Sequence, residues 1–479
     1  MTTKFFQIEE AFTRKIWKKL RDNQVPVVTQ EIYSDLIATV DRTNKDLRSK
    51  AYMPSIGHGF LGLKKGGGVT RFLPILSNVD MAIYYHICFT LSDQILVRRE
   101  RVFGGWHLVP RSQKVTDQNQ QDSTEIGEEE AQSFLQDYFS DPFSSALWLK
   151  EWRQFTVLIR ELCNTQGIGN YVVETDIANF YDSIEIPRLV RNLRRDAHNN
   201  EELIEALELF LGFWNRRLNG YQASTKGIPQ EIISDASRVV AHYYLQRFDE
   251  EFSKYCTSNG LINVRWSDDI LIFGKSRKSL ELAIHKASKI LLSDGLNLNA
   301  SKTQIFSRRD FERYRATDVL AAIGNDDAKA FRRSLRSAIQ WNKKNKMRID
   351  TVFRATIGYV KKLGSNAQIF EKNFVLEIAR SDVNLLLSLN ARQLLNLISI
   401  SDYKKSFFKL VISRITSVPY AAPRATFLHM LRKYHKELVR IGVSRRNQLN
   451  AAETIKKNSQ DSEIILQLCI PPTLRILEK

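Results

Sequence analysis

The chain runs to 479 residues with an apolar fraction of 43%, enough for a buried core, and at about 150 residues per domain roughly three domains fit that length. Lys and Arg total 71 against 53 acids, a formal charge of +18 that favours a polyanionic partner through counterion release and long-range attraction. Four scattered cysteines, Cys88, Cys163, Cys256 and Cys469, form no C-x-x-C pair, which argues against a zinc site and a disulfide framework; with no signal peptide and no apolar run long enough to span a bilayer, a cytoplasmic protein with no membrane partner is expected.

In chain order, residues 4–50 read as helical, with Ile8, Phe12, Ile16 and Leu20 repeating every four positions along one apolar stripe. The segment KKGGGVTRFLPILSNVD, 64–80, puts three glycines in a turn flanked by Lys64, Lys65 and Arg71. It is not a Walker A loop, because no Lys-Ser or Lys-Thr follows the last glycine. Ile83, Ile87 and Leu91 predict a helix over 81–103, the polar and locally acidic 117–132 reads as a surface insertion, and 143–163 is helical again. Residues 171–175 predict a buried strand that ends at Asp176, ahead of Phe180 and Tyr181.

Gly227, Ile228, Pro229 and Gln230 predict a turn, followed by a helix over 236–252. Two short β-rich runs, 261–266 and 270–273, read as strands with Asp268 and Asp269 at the turn between them. A helix over 279–292 and a turn and strand over 295–306 follow. Beyond about residue 315 β alternation stops, and helices are predicted over 327–341, 351–362, 381–400, 401–416 and 421–441. No strict repeat period joins them. Arg332, Arg333, Lys343, Lys344, Lys361, Lys362, Arg445 and Arg446 are candidates for lining a nucleic-acid channel.

Adjacent carboxylates at a hairpin tip repel one another unless solvent or a cation intervenes. If the strand ending at Asp176 lies beside that hairpin, three carboxylates meet at one point. Such a cluster can hold two hard divalent ions, the arrangement that activates an attacking oxygen and stabilises a leaving phosphate oxygen. Nucleotidyl transfer is the chemistry this pattern suggests.

These residues resemble a reverse transcriptase, and more narrowly the abortive-infection (Abi-type) and other defence-associated reverse transcriptases of bacteria. The order of segments carries the resemblance: Asp176, then GIPQEIISDASRVVAHYYLQRFDEEF at 227–252, then Asp268 and Asp269, then DGLNLNASKTQIF at 294–306. It covers about 60–310. The resemblance implies an α+β right-hand polymerase, with fingers and a palm built on an antiparallel sheet over 1–315, and an all-α, helical-repeat-like C-terminal domain over 316–479. Asp176, Asp268 and Asp269 would be catalytic and would hold two Mg²⁺ (or Mn²⁺) ions, with Ile177 lending a backbone carbonyl. Lys65 and Arg71 would close on the triphosphate, Tyr181 would exclude a 2′-hydroxyl, Gln230 would lie near nucleotide or template, and Lys302 would meet the departing pyrophosphate.

The chain departs from the family pattern at Glu231, where a glycine is usual, in lacking the prolines that usually follow, and at Trp266-Ser267, where Tyr-Ala or a relative is usual. The resemblance further implies dNTPs as substrates, a DNA product, a companion non-coding RNA, a homo-oligomer and a role in antiphage defence. Priming from a protein hydroxyl would use a tyrosine, with Tyr359, Tyr403, Tyr420 and Tyr434 as candidates. Two other readings stay open: a non-catalytic RNA-binding scaffold on a relict palm, and an RNA-dependent RNA polymerase.

Overall fold

Alternating apolar residues along YVVETD and DILIFG build the central sheet in the computed structural model of the chain, which describes residues 36–55, 59–64, 70–97, 99–104, 145–165, 167–215, 222–230, 235–342, 347–459 and 464–478. Several expectations lie outside the described residues: the stripe at Ile8, Phe12, Ile16 and Leu20, the loop over 117–132, Lys65, Glu231, Lys343, Lys344 and the Arg71 side chain. The first described elements are α1 (Leu36–Arg48), the antiparallel hairpin β1 (Gly59–Lys64) and β2 (Thr70–Ile75), and α2 (Asn78–Ile95). Ser77 starts α2 by accepting the Asp80 N–H at 3.1 Å, satisfying one of the amides a helix N-terminus leaves unpaired.

The helix ends at Ile95, short of the expected 103, because Val102 and Phe103 are a strand instead. This β3 (Val102–Phe103) begins a five-stranded sheet that continues with β4 (Tyr171–Asp176), β5 (Ile262–Trp266), β6 (Asp269–Gly274) and β7 (Gln304–Ser307), in the spatial order β3-β5-β6-β4-β7. β3 runs parallel to β5 and every other pair is antiparallel. The sheet is therefore mixed, where an antiparallel one was expected. The correction comes from a two-residue strand too short to show a period of two.

Period-two alternation splits the side chains between the two faces. Val173, Ile270 and Ile272 join the larger apolar cluster, with residues of α2, α5 (Ile186–Asp196), α6 (Glu201–Phe213), α7 (Asp235–Tyr244), α8 (Gln246–Ser258) and α9 (Arg277–Ser293). Here α3 (Ser145–Asn164) lies on the other side of the sheet and α4 (Phe180–Ser183) follows β4. Val172, Val264, Leu271 and Phe273 point to that other side, where Phe155, Ile159 and Leu162 of α3 and Phe311 cover them. The single helix expected over 236–252 is two, with Leu245 between α7 and α8.

From Arg308 onward the described residues are helical: α10 (Arg308–Arg315), α11 (Thr317–Gly324), α12 (Ala328–Asn342), α13 (Ile349–Leu363), α14 (Ile369–Ser381), α15 (Val383–Leu387), α16 (Ala391–Ile400), α17 (Lys404–Thr416), α18 (Ala421–Arg440), α19 (Arg445–Lys457) and α20 (Ile464–Glu478). They bury a separate apolar cluster that runs from Ala316 to Leu477. The helix expected over 381–400 is interrupted twice by residues that cap. Asp382 accepts the amides of Asn384 and Leu385, and Asn390 trades bonds with Gln393 in a capping box. Helix α18 packs against β1, so the helical region reaches back to the N-terminal hairpin. All four cysteines are buried and unbridged, and no described helix is long and apolar enough to cross a membrane.

Candidate active site

The antiparallel register of β4 and β6 sets Asp176 directly opposite Asp269. Asp268 stands in the two-residue loop that joins β5 to β6, and its carbonyl accepts the Ile177 N–H at 3.2 Å. Three carboxylates that are far apart in sequence thus meet at one end of the sheet. The loop is strained at its first position, since Ser267 has φ +55°, a region costly for a residue with a Cβ.

Neighbouring groups hold that loop in place. The Ser267 N–H donates to the Phe103 carbonyl at 3.0 Å, and Trp266 packs on Phe103 and Phe155 at centroid distances of 6.4 and 5.1 Å. From behind, the guanidinium of Arg265 donates to the Ser267 carbonyl. Arg265 is 1% exposed and forks onto both oxygens of Asp249 at 2.7 and 2.6 Å. Asp249 also takes Arg99 at 2.6 Å, and Arg99 donates to the His242 carbonyl at 2.9 Å. Burial, and then the positive charges of Arg265 and Arg99, keep His242 far below the usual histidine range.

The acidic tip is not neutralised in the same way. Burial pushes the Asp268 carboxyl above its ordinary range and nearby Asp176 pushes it further, against the pull of its own N–H, Lys302 and Arg265. Burial also raises Asp269, with Arg315 and Arg348 pulling it down and Asp268 and Glu174 adding to the rise. Lys302 donates to Asp176 Oδ2. Burial disfavours the Lys302 charge, yet the bond to Asp176 and the three aspartates hold its ammonium above the usual lysine range.

Asp176 Oδ1 is buried with no hydrogen-bond partner. An unpaired hard oxygen among repelling carboxylates is the donor chemistry that suits a magnesium-like ion. Among the described residues no three acidic, histidine or cysteine side chains stand close enough to hold an ion as they are; Lys302 and Arg348 flank the acids instead. Ile177 pairs with Leu298. The bonds around that pair, Ala178 N–H to Asn297 and Asn299 N–H to Asp176 (both 2.8 Å), bypass the Ile177 carbonyl.

The nucleotide candidates fall in two groups. Tyr181 is 7% exposed on α4, and its carbonyl accepts the Ile228 N–H at 2.9 Å, so the 227–230 turn docks on it. Gly227, at φ +94°, makes that turn possible. Gln230 is half-buried, with Oε1 lacking a partner. Arg71 lies on β2, paired with Leu63. Of the four tyrosine candidates Tyr403 is 77% exposed and Tyr359 is 4% exposed; Tyr420 and Tyr434 are half-buried.

Sequence reasoning missed Glu174, Arg315 and Arg348. Glu174 lies two residues before Asp176 on the same side of β4, so alternation would have put it beside the site. Arg315 forks onto it at 2.9 and 2.9 Å. Arg348 donates to it at 2.7 Å and stands 3.9 Å from Asp269. Burial alone would raise the Glu174 carboxyl, but the two arginines hold it below its usual range.

Residues 129–363 match the family described as reverse transcriptase (RNA-dependent DNA polymerase). Over 124 residues the chain is 28% identical to the retron Ec83 reverse transcriptase of Escherichia coli, a match that covers 26% of this chain and 38% of that protein. Residues 129–363 hold β4 through β7 and the carboxylates of Glu174, Asp176, Asp249, Asp268 and Asp269. Residues 129–363 therefore form a domain of the reverse transcriptase (RNA-dependent DNA polymerase) family.

Proposed function

We propose that the protein adds deoxynucleotides to a growing DNA strand, and that Asp176, Asp268 and Asp269 are its catalytic carboxylates. The observation that carries this reading is the register of Asp176 against Asp269, with Asp268 in the adjoining loop. Asp176, Asp268, Asp269 and the Ile177 carbonyl would hold two Mg²⁺ ions, which when bound would lower the pKa of the attacking hydroxyl and balance charge on the phosphoryl group. Lys302, charged and donating to Asp176, is placed to offer a proton or a positive charge to the departing pyrophosphate. Tyr181, buried and pinned by Ile228, is a rigid wall suited to excluding a 2′-hydroxyl. Gln230 has an unpaired amide oxygen for a base or sugar, and Arg71 and Lys65 would meet the triphosphate.

The partial likeness to a retron enzyme supports service in bacterial antiphage defence, to which we add a companion RNA and a homo-oligomeric state. Separate apolar clusters on the two sides of Ala316 support a polymerase part over 1–315 and a helical part over 316–479. If a tyrosine primes synthesis, Tyr403 is the exposed candidate.

Purified protein given Mg²⁺ and labelled dNTPs, with and without an RNA template and DNA primer, should incorporate label. Asp268→Asn/Asp269→Asn should reduce incorporation to background, and Tyr181→Ala should admit ribonucleotides. Equal incorporation by the double variant would remove the catalytic reading. Preference for ribonucleotides by the wild type would replace it with RNA synthesis.

A further inference from the structure

We propose that Arg348 is the counter-charge that holds the Asp269 carboxylate until a divalent cation displaces it, so that the helical region sets how tightly the site binds metal. This rests on reading Asp176, Asp268 and Asp269 as the metal-holding carboxylates. Arg348 immediately precedes α13, and its N–H donates to the Tyr314 carbonyl at 2.8 Å, fixing its backbone to the end of α10. Its guanidinium spans three carboxylates, at 2.7 Å from Glu174, 3.9 Å from Asp269 and 3.8 Å from Asp350.

Glu174 does not need Arg348 for neutrality. Arg315 already occupies both of its oxygens. Arg354 serves Asp350 at 3.0 Å, so against Glu174 and Asp350 the three guanidiniums of Arg315, Arg348 and Arg354 leave one positive charge in surplus, and Asp269 is the nearby catalytic carboxylate that receives it. The planar fork grips Glu174 with one nitrogen and faces Asp269 with another, so its single charge reaches both carboxylates. A cation arriving at Asp269 must compete with that charge at short range, where Coulomb interactions are weakly screened. Arg348 is thus a positioning residue: it acts on the chemistry through Asp269, and it is attached to the helices rather than to the sheet.

Mn²⁺ binding to the full-length protein, followed by the loss of the free-ion EPR signal and without nucleotide, tests this apart from turnover. Arg348→Gln should tighten Mn²⁺ about tenfold, whereas Arg348→Lys, which keeps the charge, should stay within about threefold of wild type. Arg348 is about one-third exposed and Arg315 still serves Glu174, so the variants should fold, as circular dichroism would verify. A merely structural role predicts unchanged or weaker Mn²⁺ binding in Arg348→Gln, and that result overturns the proposal. Unchanged binding in Asp268→Asn/Asp269→Asn overturns the metal reading and this inference together.

Discussion

One hairpin, β5–β6, carries charge on its two sides in opposite states. Behind the turn, Arg265, Asp249 and Arg99 are buried and bonded to one another with short contacts. In front, burial and Asp176 push Asp268 toward protonation, burial and Asp268 push Asp269 the same way, and Asp176 keeps an orphan oxygen. The paired side supplies rigidity, and the frustrated side stores repulsion that a ligand can relieve. A sequence under selection for stability alone would not place like charges there.

The largest test of this contrast removes the centre of the paired side. Asp249→Ala strands two buried guanidiniums and should cost about 3–5 kcal/mol of stability, read as a lower urea midpoint. A loss below about 1 kcal/mol would show that the cluster is not what anchors the hairpin.

Removing repulsion in front should do the opposite. Asp268→Asn/Asp269→Asn should raise stability by about 1 kcal/mol at neutral pH and metal-free, while abolishing incorporation. Both carboxyls titrate above their unfolded values, so the folded wild type gains stability as pH falls toward the ordinary carboxylate range. The variant's advantage should therefore shrink as pH falls toward the ordinary carboxylate range. A constant advantage would place its origin elsewhere.

A separate test reads the buried histidines by pH. Burial holds His86 down at about 4 and keeps His242 well below the usual histidine range, so both are neutral in the fold when the unfolded chain takes up protons. Their contribution is intact above about pH 6.5 and falls by about 1.4 kcal/mol per pH unit for each histidine below it. His86→Gln should halve that part of the acid slope, measured as urea midpoints at pH 7, 6 and 5.

Much of this arrangement could be read from the residues in advance. Asp176, Asp268 and Asp269 were legible because strands and turns leave a short-range pattern, and the helical C-terminal region was legible from its loss of alternation. The grip of Arg348 was not, because an arginine in KKNKMRID reads as a wet basic face until its through-space partner is known. Arg265 sits inside a β-rich run as an apparent exception, and only folding brings Asp249, sixteen residues earlier on a helix, underneath it. Val102 and Phe103 looked like the end of a helix because two residues show no period. Asp382 and Asn390 were polar residues in a helical stretch whose capping role depends on the amides they meet.

Glu174 lies in the sheet, and both of its arginines come from the helices that follow it. Joining residues 1–315 to an unrelated helical partner would leave Arg315 on Glu174 but would remove Arg348 from both Glu174 and Asp269. The sheet and the residue that opens the Ile349–Leu363 helix are thus electrostatically linked, so a change at Arg348 reaches the acidic tip while changes farther along the helical array do not touch it.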